Sequence, residues 1–169
     1  GLTCRPRRRF ICARPMPPPP GTRRPRFWMT ESRSPDALAA THAAAFSQSR
    51  PWSAEEFADL LADRFTYLTG DARAFAVVRE VAGEAELLTI ATHPDHQRQG
   101  RARQVMADWM AKAAERGVED AFLEVAQDNT AAQALYSTCG FGLVGIRKAY
   151  YPRPEAAAAD ALLMKRVFP

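Results

Sequence analysis

The chain has 169 residues, 47% of them hydrophobic and 25% charged, a length and composition that suit one domain with its own apolar core. Its formal net charge of +4 is unevenly placed: residues 1–28 hold eight arginines and no acid, which leaves 15 basic and 19 acidic side chains, a net −4, in residues 29–169. That balance gives the folded part no basis for binding nucleic acid, and no apolar run approaches the ~20 residues that cross a bilayer.

Residues 1–28 also carry seven of the 13 prolines, among them Pro17 to Pro20. Proline fixes φ and removes an N–H donor, so this stretch is expected to be a disordered basic tail. It reads as a basic arm, as a transit peptide spoiled by its prolines, or as upstream sequence wrongly joined to a gene that begins at Met29; the last is favoured. The cysteines, Cys4, Cys12 and Cys139, form neither a disulfide framework nor a metal cluster and fit a reducing cytoplasm.

Order is expected from Ser34-Pro35, a capping serine followed by proline at the first helical position, with Leu38, Ala39, His42, Ala45 and Phe46 at helical spacing. A second helix starts after Ser53, with Glu56 completing a capping box and Phe57, Leu60 and Leu61 on its apolar face. Residues 65–68 read as a short strand and Gly70-Asp71 as a turn, then 74–79 and 84–92 as two strands joined at Gly83. After Gly100 a helix carries Val105, Met106, Trp109, Met110 and Ala113 and ends at Gly117. Residues 121–125 form a strand, 129–139 a short helix stopped by Gly140, and 142–151 and 161–167 the last two strands. The order ααβββαβαββ implies a three-layer α/β domain with helices on both faces of a mixed sheet.

Gln97 to Ala102 reads Q-x-x-G-x-A between a strand and a helix. Free backbone N–H groups at such a helix start, added to the helix dipole, make a place for phosphate, although an ordinary turn before a helix also needs a glycine. Glu124 interrupts the apolar strand 121–125. Alternation puts Leu123 and Val125 on one face and Glu124 with Phe122 on the other. A carboxylate among apolar neighbours can act as a general base; the alternative is a solvated glutamate. Tyr136 offers a phenolic proton to a departing thiolate or alkoxide, or else is a packed core tyrosine. Asn129 is the natural N-cap of the following helix. His93 and His96, on either side of Pro94-Asp95, read as turn histidines, with no convincing further ligands to make a metal site. Trp52 either lines a substrate groove or packs a helix entry.

Together these segments resemble the GNAT acetyltransferase superfamily, and within it the ribosomal-protein-alanine N-acetyltransferases. The resemblance rests on Pro51-Trp52-Ser53 with Phe57, on Leu88 to Pro94, on the Gln97 to Ala102 turn, and on Leu123-Glu124-Val125. It continues through Asn129 to Ala132 with Ala134-Leu135-Tyr136, Gly140-Phe141, Arg147 with Tyr150-Tyr151, and Asp160-Ala161 with Met164. It implies a GNAT-type three-layer α/β/α domain over residues 29–169, with a mixed, mostly antiparallel central sheet. It implies acetyl-CoA as donor and no metal. Ile90, Ala91 and Thr92 would pair with the acetyl and pantetheine amides. Arg98, Gln99, Gly100, Arg101, Ala102 and Arg103 would hold the pyrophosphate, and Asn129 would touch the cofactor. Glu124 would be the base, acting through water, and Tyr136 the acid that protonates the CoA thiolate. The acceptor would be a protein N-terminal amine, the alanine of the eighteenth small-subunit ribosomal protein. A lysine side chain or small-molecule amine is the alternative, and a non-catalytic CoA-binding module a further one. The expected enzyme is a cytoplasmic monomer or weak dimer with no nucleic-acid or membrane partner. Ala102, His93, Ala149 and Ala159 depart from residues frequent in the family; the last two bear on the acceptor end.

Overall fold

In the computed structural model the structure describes residues 33–47, 49–153 and 156–169; the 1–28 segment and the expectation attached to it lie outside the described residues. Helix α1 (Pro35–Ala45) starts as expected, with the Ser34 hydroxyl accepting from the Ala37 N–H at 3.2 Å. Helix α2 (Ala54–Ala62) starts on a complete capping box between Ser53 and Glu56. Strands β1 (Thr66–Asp71), β2 (Ala74–Val81) and β3 (Glu84–Thr92) follow as an antiparallel meander. Then come helix α3 (Arg101–Glu115), strand β4 (Asp120–Ala126), helix α4 (Thr130–Thr138) and strands β5 (Gly142–Tyr151) and β6 (Ala159–Val167).

One expectation fails locally. Gly70-Asp71 is not the turn but the end of β1, paired with Phe75 and Ala74, and the reversal falls on Ala72-Arg73. Asp71 makes this work: its Oδ1 accepts from the Arg73 N–H at 2.9 Å and closes the turn with a side chain. Gly70 is needed just before it, because a Cβ there would lie 2.1 Å from the Ala74 carbonyl oxygen and φ is +84°.

The sheet runs β1-β2-β3-β4-β6-β5, and every pairing is antiparallel except that of β3 with β4. Two apolar cores flank it. On one face α3 and α4 bury Val105, Met106, Trp109 and Tyr136 against Ala76, Val78, Leu87, Leu123 and Val125. On the other, α1 and α2 bury Leu38 and Phe57 against Phe75, Val77 and Ala91. Trp109 and Phe57 are both fully buried, so each anchors its layer. The three-layer α/β/α architecture is therefore the observed one. Helix α1 packs on β3 and α2 on β1, so this layer lies over the β1–β3 half of its face.

Candidate active site

The parallel pairing of β3 with β4 holds from Glu84 opposite Asp120 to Leu87 opposite Leu123 and goes no further. Beyond it β3 continues to Thr92 on the ladder of β2, and β4 continues to Ala126 on the ladder of β6. The two strands thus part in mid-sheet. The cause is a bulge in the β2–β3 ladder: Val77 faces Thr89 and Val78 faces Leu87, leaving Leu88 as the extra residue. The bulge also reverses the faces. Ala85 and Leu87 point into the core under α3, whereas Ala91, with Leu88, packs into the core under α1. Ile90, Ala91 and Thr92 form the part of β3 beyond its pairing with β4, and the Thr92 carbonyl there accepts from Gln97 Nε2 at 3.3 Å.

The same strand leads into the phosphate-type turn. A short 3₁₀ turn, Pro94–His96, follows, capped by His93, whose Nδ1 accepts from the Asp95 N–H at 3.3 Å. Arg98 and Gly100 then take left-handed φ values of +60° and +76°. Gly100 is the N-cap of α3 and supplies no side-chain bond, so the N–H groups of Arg101, Ala102 and Arg103 open outward from the helix end. Successive amides in this conformation form an anion-binding concavity reinforced by the helix dipole. Gln99 braces it, with Nε2 donating to the Asp95 carbonyl at 3.2 Å and Oε1 accepting from Arg101 Nε at 3.2 Å. Asn129 sits where β4 gives way to α4, as the expected N-cap: its Oδ1 accepts from the Ala132 N–H at 3.1 Å.

Glu124 and Tyr136 lie on opposite faces of the sheet. Glu124 points away from the α3 core, as its alternation with the buried Leu123 and Val125 requires. Arg147 reaches across β6 from β5 and places Nη1 2.7 Å from Glu124 Oε1, with the two side chains 28% and 26% exposed. Burial pushes the Glu124 carboxyl above its ordinary pKa; Arg147 opposes that shift, Glu86 adds to it, and a hydrogen bond from Tyr150 opposes it. Tyr136 is buried in the α3–α4 core, edge-on to Phe141 at 6.3 Å. Burial, with smaller contributions from Tyr151 and Cys139, raises the phenol's pKa further and keeps it protonated. Tyr150 and Tyr151 are neighbours on β5 with rings 5.1 Å apart and perpendicular; Tyr150 bonds Glu124, and Tyr151 adds slightly to the upward shift of the Tyr136 phenol.

The end of β5 is bent. Pairing with β6 is irregular between Arg147 and Tyr151, and Ala149 sits at φ +51°. Asp160 holds the bend, accepting from the Ala149 N–H at 2.9 Å and from Lys148 Nζ at 2.6 Å.

Two residues matter here beyond those the sequence singled out. Arg147 belonged to a recognised segment, yet its partner was hidden because β6 inserts between β4 and β5. His42, expected only as an apolar-face residue of α1, is 2% exposed. Its Nδ1 accepts from the Trp52 N–H at 3.2 Å, so Nε2 carries the proton and donates to Thr89 Oγ1 at 3.2 Å. Stacked on Phe46 at 4.1 Å and Trp52 at 5.3 Å, it ties the α1–α2 connection to β3 at the bulge. Among the described residues no group of three His, Cys, Asp or Glu side chains converges as a metal site, and no helix is long and apolar enough to cross a membrane.

Comparison with known proteins adds to this geometry. Residues 29–141 match the acetyltransferase (GNAT) family. The chain is 37% identical over 133 residues to the ribosomal protein bS18-alanine N-acetyltransferase of Escherichia coli K12, spanning 76% of this chain and 89% of that protein. The crystal structure of the ribosomal-protein-S18-alanine N-acetyltransferase from Escherichia coli superposes with a TM-score of 0.72 at 33% identity, over 79% of this chain and 86% of that one. A Bacillus subtilis acetyltransferase solved in complex with CoA shares the fold, with a TM-score of 0.62 at 18% identity over 79% of this chain and 93% of that one.

Proposed function

The chain belongs to the GNAT acetyltransferase family, and we propose that it moves the acetyl group of acetyl-CoA to the α-amine of a protein N-terminus, that of the alanine of ribosomal protein bS18. The observation that carries the reading is the parting of β3 from β4 beside an uncapped helix start, with a half-buried carboxylate on one face and a buried phenol on the other. The identity of 37% across 89% of an enzyme with that acceptor supports the choice of acceptor.

The residues present suit acetyl-CoA. The α3 start, with Arg98 to Arg103, offers convergent N–H donors and three guanidinium groups to a pyrophosphate. In this reading the edge of Ile90, Ala91 and Thr92 offers backbone partners to the pantetheine amides, and Asn129, at the start of α4, touches the cofactor. When bound, acetyl-CoA supplies an acetyl group already activated as a thioester. Glu124 takes the proton that the acceptor amine must lose before it can attack, directly or through a water. Its raised pKa brings it closer to the pH at which a base works well. Tyr136, held neutral by burial, keeps a proton to give to the sulfur that leaves. Direct transfer needs no covalent enzyme intermediate.

In this reading residues 29–169 form the catalytic domain, residues 1–28 lie outside it, and the enzyme works in the cytoplasm. The full chain, incubated with acetyl-CoA and a peptide bearing the bS18 N-terminus, is expected to place one acetyl group on the terminal alanine, read by tandem mass spectrometry. Acetylation of an internal lysine or of a polyamine in the same mixture, with the terminus left free, would overturn the acceptor assignment.

A further inference from the structure

Glu124 already holds a cation. The carboxylate that must receive a proton from an amine is paired at 2.7 Å with the Arg147 guanidinium, which also lies 5.5 Å from the centroid of the Tyr150 ring. The other charges on this face are matched elsewhere. Lys165 pairs with Asp120 at 2.8 Å, and Glu86 on β3 pairs with Arg79. Opposite Glu124 on β6 stands the apolar Leu163. Among the described residues, Arg147 pairs with Glu124 and the Tyr150 hydroxyl bonds it, and both favour its charged form. A partly buried carboxylate exchanges one cation for another far more readily than it stands alone, since an uncompensated charge there is costly.

We propose that Arg147 is an exchangeable counter-ion for Glu124: it occupies the place of the acceptor's terminal ammonium until that ammonium displaces it. The Tyr150 ring, already within cation–π range, gives the displaced guanidinium a second resting place. Two consequences follow. While no acceptor is bound Arg147 opposes the upward shift that burial gives Glu124, so the carboxyl is less basic than burial alone would make it. Once the ammonium takes over, Glu124 loses the permanent cation and keeps only a partner that can itself give up a proton. The site thus favours acceptors that arrive charged, as a free protein N-terminus does.

The inference rests on Glu124 being the base, so Glu124→Gln is measured alongside. Arg147→Met and Arg147→Lys are then compared with the native chain for the acceptor KM and for the pH dependence of kcat/KM. Exchange predicts that Arg147→Met lowers the acceptor KM several-fold, since the competitor is gone. It also predicts that the acidic limb of kcat/KM, which reports the free enzyme, moves up by about one pH unit or more. Arg147→Lys, which keeps the charge, should restore the native limb. A raised KM with an unmoved limb in Arg147→Met would overturn the exchange and leave Arg147 as a structural strut, while full turnover in Glu124→Gln would overturn the base assignment itself.

Discussion

Glu124 and His42 show how burial sets the chemistry of single groups here in opposite directions. Burial raises the pKa of Glu124, as the proposed base role requires, and Tyr136 by the same cause remains a protonated phenol. Glu124→Gln and Tyr136→Phe each keep shape and remove the proton function, so each is expected to lower kcat by ~10²-fold or more in a thiol-release assay. Native-like turnover in either variant would remove that residue from the chemistry. For His42, desolvation brings the pKa from 6.5 down to about 4, with Glu56 raising it slightly and Arg50 lowering it. The folded protein keeps this ring neutral while the unfolded chain protonates it. The unfolded state therefore binds more protons between pH 6.5 and about 4, and stability falls as pH falls through that window. The loss reaches on the order of 3 kcal/mol at its acid end. Urea unfolding at several pH values checks this, and His42→Gln should flatten the slope. A slope equally steep in the variant would assign the effect to other groups.

At the scale of elements, the helix caps, the helical faces and the alternation in β4 were all legible, because each is set by residues a few positions apart. Ser34, Ser53 and Asn129 cap the helices assigned to them. The bulge at Leu88 was not legible, since nothing in 84–92 marks an extra residue; it exists only relative to β2. The β1–β2 turn was misplaced because Gly70 serves a close backbone approach, while Asp71 closes the turn with its side chain. The bend in β5 depends likewise on Asp160, eleven residues away, holding Ala149 at a left-handed φ. Alanine is strained there, and its N–H bond does not need its methyl group. Ala149→Gly or Ala149→Asn is therefore expected to stabilise the protein by roughly 0.5–1 kcal/mol, read as a higher denaturant midpoint with an unchanged slope. A lower midpoint would mean that the methyl contributes packing that outweighs the strain.

In the proposed reading the whole molecule joins two half-sites that neither face of the sheet supplies alone. The α3–α4 layer would provide the helix start and the phenol, and the opposite face the carboxylate and Arg147; Trp52 packs the helix entry against His42 and Phe57. The fold class and the family were readable from the sequence, because the strand–turn–helix signal and the separate motifs recur in chain order. The pairing of Arg147 with Glu124 was not, because it crosses a strand that comes later in the chain. Everything proposed for catalysis requires that the parting between β3 and β4 connect the two halves. A crystal structure of the chain with a peptide–CoA bisubstrate adduct measures this directly. The account predicts the pantetheine arm along Ile90 to Thr92, the sulfur beside the Tyr136 hydroxyl and the peptide's terminal nitrogen on the Glu124 side. An adduct whose sulfur lies remote from Tyr136, or whose peptide leaves by the α3–α4 face, would contradict it.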